Sequence, residues 1–226
     1  QAHDENALVD TMHALEIDPV ILSSYIPTSP AQATEAAFQE AACQLQKRVQ
    51  RFGFQKVRLF PGSGIKPEDN NAIAIVARRI AELAASMPSI DFLLETHDGS
   101  IADDPHRLIE LLQSIVKPNI GLLYQPTVFE SAFALSQLEI QRPWIRHLHL
   151  QNRATTDAGR FVRLGEGSIP WKTILAAVDR STIGATLEFV PSAIGPIERF
   201  QFDLSLNEAI SETSWVHAML DTLDRV

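Results

Sequence analysis

Short apolar, β-branched runs alternate with longer stretches of helical periodicity from one end of the chain to the other, and this constrains the fold more than any other feature. Parallel strands joined by crossover helices produce such a pattern. Six strands are predicted, at Pro19–Tyr25, Lys56–Phe60, Phe92–Thr96, Ile120–Tyr124, Ile145–Leu150 and Ala185–Val190. Each is short and nearly continuously apolar, which suits a sheet covered on both faces. Between them, Ser29-Pro30 predicts a helix start and Gly53 its end. Asn71–Ala85 predicts a helix with Ile73, Val76, Ile80 and Leu83 on one stripe. Asp104-Pro105 opens another that runs through Leu108, Leu111, Leu112 and Ile115 to a stop at Pro118. Trp171–Val178 follows the segment Leu164-Gly165-Glu166-Gly167, and a last helix is expected from about Ser211 to Leu223.

A closed parallel barrel of this type needs eight strands, because tilt and shear fix the strand number, and the full unit is typically ~250 residues. Six strands in 226 residues leave two unaccounted for. Leu8, Met12 and Leu15 read as the end of a helix feeding the first visible strand, so the two strands are expected to be missing at the N-terminus. The expectation is a single (β/α)8 TIM barrel domain over residues 1–226, N-terminally incomplete. A formal charge of −9, spread along the chain, disfavours a nucleic-acid surface, which needs a concentrated basic face. Cys43 is the only cysteine, so no intrachain disulfide can form. No apolar run approaches the ~20 residues that span a bilayer, and the start shows no basic-then-apolar leader. A soluble, cytoplasmic protein acting on a small molecule, with neither nucleic acid nor membrane as partner, is the simplest expectation.

In parallel α/β folds, sites form where strands end at their C-termini. The polar residues at those ends are Glu95-Thr96-His97-Asp98, Gln125, the sequence His147 to Arg153, and Glu188. An ionised carboxylate inside an apolar run needs a partner or a cation. Glu95 or Glu188 alone could be a strand-end acid paired with an arginine. Their recurrence with His149 at successive strand ends instead suggests a divalent-cation site of oxygen donors and one nitrogen, suited to Mn²⁺, Mg²⁺, Co²⁺ or Zn²⁺. His147 shares a strand face with His149 and reads as its support or as a satisfied core histidine. His97, on the same strand face as Glu95, is placed to donate to a substrate hydroxyl or else to serve a structural role in the loop. Asn152 and Arg153 lead into the loop beyond His149, and Arg153 suits a carboxylate or phosphate, or else a neighbouring acid. Arg160 and Arg163 have weaker claims. Gly165 and Gly167 lack the Lys-Ser/Thr pair of a phosphate loop and read as a tight turn, while Trp144 and Trp171 read as packing residues.

The stretches "LLETHDGS", "NIGLLYQPTVF", "RHLHLQNR", "LGEGSIPWKTIL" and "GATLEFV" resemble, in order and spacing, the sugar phosphate isomerase/epimerase group of xylose-isomerase-like TIM barrels, over roughly Pro19 to Val190. In that family four strand ends give Glu, Asp, His and Glu to a divalent metal. The resemblance implies Glu95, Gln125, His149 and Glu188 as metal ligands, with Gln125 standing where the family has Asp. It also implies that Glu95 and Glu188 act as the acid/base pair, while His97, Asn152 and Arg153 are substrate-binding candidates by their places in the sequence. A neutral amide oxygen brings no charge to offset the cation, so weaker or altered metal binding is expected. Val128 stands where epimerase relatives often place a histidine. The implied activity is metal-dependent isomerisation or epimerisation of a sugar or sugar phosphate by proton transfer next to a carbonyl, through an enediolate. Dehydration of a polyol-derived or dehydroshikimate-like ketone on the same barrel is an alternative, and a sugar-binding homologue without turnover is another. Endonucleases of the superfamily fit poorly with the acidic balance and the few strand-end histidines. Dimers are common in the resembling family, so a homodimer is a further expectation.

Overall fold

A computed structural model describes residues 5–66, 68–179, 181–188 and 202–223. The chain divides into two compact units within a strand, between Gly121 and Leu122. In the first unit the order is α1 (Glu5–Ala14), β1 (Ile21–Ser23), α2 (Glu35–Phe52), β2 (Lys56–Leu59), α3 (Asn70–Ser86), β3 (Asp91–Glu95), a 3-10 turn (Ile101–Asp103) and α4 (Pro105–Ile115). The strands are parallel, with Ser23 opposite Arg58 and Arg58 opposite Leu93. Val57, Leu59, Phe92, Leu93 and Leu94 are fully buried, as the continuous apolar runs require.

Local chemistry sets the helix ends. The Thr34 hydroxyl accepts from the Ala37 N–H and starts α2, and Gly53, at φ 75°, ends it by returning its N–H to Val49. The start expected at Ser29-Pro30 is therefore corrected: the Ser29 hydroxyl accepts from the Ala31 N–H and closes a turn, a use of serine that competes with capping. Asp69 caps α3, and Asp104 caps α4 with Pro105 in its first turn. α4 ends at Ile115, before Pro118, because Val116 already adopts a left-handed conformation at φ 47°. Arg79 on α3, only 2% exposed, donates to the carbonyls of Thr28 and Ala33 and to Glu35, and lies 4.9 Å from the Phe38 ring centroid. It ties the loop after β1 and the start of α2 to α3.

The second unit takes in most of β4 (Ile120–Tyr124), then α5 (Ser131–Gln141), a 3-10 turn (Arg142–Trp144), β5 (Ile145–Leu150), β6 (Arg153–Ala154), β7 (Asp157–Phe161), α6 (Trp171–Ala177), β8 (Gly184–Leu187) and α7 (Phe202–Leu223). β4, β5 and β8 are parallel, with His147 opposite Gly184 and His149 opposite Thr186. All six expected strands are present, although 189–190 of the last lie outside the described residues. The antiparallel pair β6–β7 and helix α5 were not anticipated. α5 buries Gln137 and Gln141 beside Ala134 and Leu138, so its inward face carries no apolar stripe. α7 begins at Phe202, before the expected start near Ser211, which sits inside it and whose hydroxyl accepts from Arg163 at 3.3 Å.

Leu148, Leu150 and Leu187 face an apolar cavity of about 490 Å³ that Leu175 and Val216 also line. The alternation of a strand sends His147, His149 and Glu188 to the opposite face. Among the described residues, no helix is long and apolar enough to cross a membrane.

Candidate metal centre

In the first unit the register puts Arg58 and Glu95 on one face, since Arg58 pairs with Leu93, two residues before Glu95. The Arg58 Nε stands 3.0 Å from Glu95 Oε2, and both side chains are buried. Arg58 also donates to the Ser24 carbonyl at 3.3 Å and lies over the rings of Tyr25 and Phe60, at 4.7 and 4.2 Å. Glu95 thus has the arginine partner that the structural reading of a strand-end acid requires. That contact involves one of the two carboxylate oxygens. His97, two residues on, is half-buried, with Nδ1 3.0 Å from Asp98 Oδ1 and its ring edge-on to Phe60 at 5.0 Å.

In the second unit His149 and Glu188 come together. Strand pairing continues past β8 through a hydrogen bond from the Glu188 N–H to the Leu150 carbonyl, which fixes the carboxylate beside the histidine. His149 Nδ1 and Glu188 Oε1 are 3.6 Å apart. That is too long for a hydrogen bond, but it is close to the separation of two donors that each stand ~2.1 Å from a shared cation. The donor types also fit a divalent metal: an imidazole nitrogen and carboxylate oxygens, buried or half-buried. His147 is buried and its Nε2 makes a 2.7 Å hydrogen bond with the Thr186 hydroxyl, which agrees with the reading of a satisfied core histidine.

Gln125 is 5% exposed, and its Oε1 accepts from Gln151 Nε2 at 2.8 Å. The same nitrogen donates to Glu188 Oε2 at 2.5 Å. The backbone oxygen of Gln151 accepts from the Trp171 indole at 2.8 Å, so Trp171, besides packing, fixes the end of β5. Sequence reasoning missed both Gln151 and Arg58. The signal for Gln151 was a long polar side chain with the same strand parity as His149, and for Arg58 a charged side chain inside an otherwise apolar strand run.

Asn152 is buried, and its amide is engaged by the backbone of the following turn. Its Nδ2 donates to the carbonyls of Leu164 and Ile169, and its Oδ1 accepts from the N–H groups of Arg153 and Ile169. These four bonds use the full capacity of the amide. Gly167 belongs to the same turn: a Cβ there would stand 2.2 Å from Asn152, so only glycine fits. Arg153 is half-buried, with its guanidinium over Phe129 at 4.3 Å and Phe161 at 4.8 Å. These rings restrict the side chain through cation–π contact.

Parallel strands with crossover helices, and metal-type donors at the strand ends, define the class of protein. The chain belongs to the xylose isomerase-like TIM barrel family, whose model matches residues 1–192. It is 26% identical over 147 residues to the 3-dehydroshikimate dehydratase of Bacillus anthracis, which is 62% of this chain and 52% of that protein. The chain therefore spans about half the length of the curated relative it matches. Among solved structures it resembles the probable 3-DHS dehydratase AsbF of Bacillus anthracis, with a TM-score of 0.75, 18% identity, and coverage of 95% of this chain and 83% of that one. It also resembles a xylose isomerase-like TIM barrel protein from Mycobacterium smegmatis in complex with magnesium, with a TM-score of 0.71, 12% identity, and coverage of 99% and 79%. At these identities the structural likeness shows the shared fold.

Proposed function

We propose that Glu95, Gln125, His149 and Glu188 hold one divalent cation, and that the site moves a proton at a carbon next to a carbonyl in a small, oxygen-rich substrate. The observation that carries this reading is the 3.6 Å separation of His149 Nδ1 and Glu188 Oε1. The magnesium held by a relative of the same fold supports a divalent metal. When bound, the cation supplies positive charge at the substrate oxygens as the neighbouring carbon loses its proton.

The chain's own residues do the rest. Glu188, half-buried and held by a neutral amide, takes the proton; Glu95, paired with Arg58, is the other carboxylate of the acid/base pair. His97 donates to a substrate hydroxyl. Arg153, restricted by Phe129 and Phe161, meets an anionic or polar end of the substrate. Return of the proton to the opposite face gives an epimer, and its return to the adjacent carbon gives an aldose–ketose isomer. Isomerisation or epimerisation of a sugar or sugar phosphate is the reading the strand-end motifs support. Loss of a hydroxyl after the same proton abstraction is the second reading, favoured by the dehydratase relative.

Incubation with Mn²⁺ in D₂O, with ketohexoses, sugar phosphates and 3-dehydroshikimate offered separately, tests both. Deuterium gained at carbon without loss of water supports the first reading, and loss of water supports the second. Absence of deuterium uptake and of dehydration from every substrate contradicts proton abstraction at this site.

A further inference from the structure

We propose that Gln151 is a positioning residue that decides which end of the Gln125 amide is offered to a cation. The inference rests on the metal-site reading above. Both amide hydrogens of Gln151 are committed, one to Glu188 Oε2 at 2.5 Å and one to Gln125 Oε1 at 2.8 Å. An ionised carboxylate only accepts hydrogen bonds, so Glu188 requires the nitrogen of Gln151 to face it. Reversing the Gln151 amide would set its oxygen against Glu188 Oε2. With that nitrogen fixed, Gln125 must in turn present its oxygen to Gln151, because two amide NH₂ groups cannot satisfy each other. The charge on Glu188 is thereby transmitted through a neutral side chain into the orientation of Gln125.

This matters because Gln125 stands where an Asp is expected. Asp offers oxygen from either end of its carboxylate, whereas Gln offers oxygen from one end and N–H donors from the other. A site that uses Gln as a ligand needs something to break that symmetry. Oxygen has two lone pairs, so a single bond from Gln151 orients Gln125 Oε1 without using its full capacity.

Gln151 is itself 4% exposed, and its own Oε1 is buried without a hydrogen-bond partner among the described residues. An unpaired buried acceptor costs free energy. The amide gives up pairing of its own oxygen to hold Gln125 and Glu188, as an orienting residue would and a residue selected for stability alone would not. Its backbone is anchored independently by Trp171, so the end of β5 does not depend on the side chain.

The test is calorimetric titration of the full chain with Mn²⁺, comparing wild type with Gln151→Leu, Gln125→Met and the double variant. Loss of a partner that orients a ligand weakens metal binding ~10–100-fold, which is the expected effect of Gln151→Leu in the wild-type background. In the Gln125→Met background, where no amide remains to be oriented, Gln151→Leu should cost distinctly less, a coupling that general loosening of the fold would not produce. Thermal melting of the metal-free forms monitors folding, and Gln151→Met, closer in length, replaces Leu if that variant melts early. Wild-type affinity in Gln151→Leu, or the same fold-loss in both backgrounds, overturns the inference and leaves the metal site standing. Failure of the wild-type chain to bind Mn²⁺, Mg²⁺, Co²⁺ or Zn²⁺ overturns the metal-site reading and this inference with it.

Discussion

Each of the two units carries one glutamate at the end of a parallel strand, and the two are supported by opposite means. Glu95 is buried against a full positive charge, with Arg58 Nε at 3.0 Å. Glu188 is half-buried against a neutral amide and an imidazole, with Gln151 Nε2 at 2.5 Å and His149 Nδ1 at 3.6 Å. An arginine stands beside the first carboxylate, and an amide and an imidazole stand beside the second. Residue type and strand position are the same, so the difference lies in the neighbours. On the reading proposed above, Glu95 is the carboxylate paired with arginine and Glu188 is the one that takes the proton.

The comparison is broken most readily at Glu188. Glu188→Gln should slow deuterium exchange into substrate by ~10²–10⁴-fold, the usual contribution of a positioned acid or base. Exchange at the wild-type rate would remove Glu188 from that role. Arg58→Met should destabilise the fold by ~3–5 kcal/mol in a denaturant melt, because it strands a buried carboxylate. If Glu95 also ligates a cation, added Mn²⁺ should raise the melting temperature of Arg58→Met by more than it raises that of wild type. Equal shifts would separate Glu95 from the metal.

A smaller effect is expected at Gln125. Gln125→Asp restores a charged oxygen and should tighten Mn²⁺ binding ~10-fold, about 1.4 kcal/mol, by calorimetry. Unchanged or weaker affinity would count against placing Gln125 among the ligands.

The smallest effect concerns a carboxylate of the first unit that lies on the surface. Hydrogen bonds from Arg78 and Gln39 lower the Glu35 carboxyl from 4.5 to about 2. A lowered folded-state value means that the contribution is complete above pH 4.5 and fades as pH falls toward 2. Glu35→Gln should flatten the stability profile in that window, only slightly and less so in high salt, because the group is exposed. An identical profile in the variant would show that the surface ion pairs do not contribute.

Much of the fold was legible because its signals are local. Continuous apolar runs gave all six parallel strands, and Gly53, Asp104-Pro105 and Trp171 gave helix ends. What escaped depended on partners distant in sequence. α5 hides behind Gln137 and Gln141, whose amides bond within a glutamine network that includes the Gln125 carbonyl. Ser29 carries the same cap chemistry as Thr34, and only the path of the chain decides between them.

At the site, the residue types at strand ends identified Glu95, Gln125, His149 and Glu188 as candidates. The residues that support them, Arg58 and Gln151, have no motif of their own. Asn152 illustrates the converse, a polar residue beside a histidine whose amide is consumed by the turn containing Gly167.

The most direct test is an anomalous difference map from a crystal of the full chain soaked in Mn²⁺. A single peak contacted by Glu95, Gln125, His149 and Glu188, with Gln151 Nε2 still donating to Gln125, is the expected result. No peak at the ends of β3, β4, β5 and β8, in a crystal shown to take up Mn²⁺ elsewhere, would contradict the metal site.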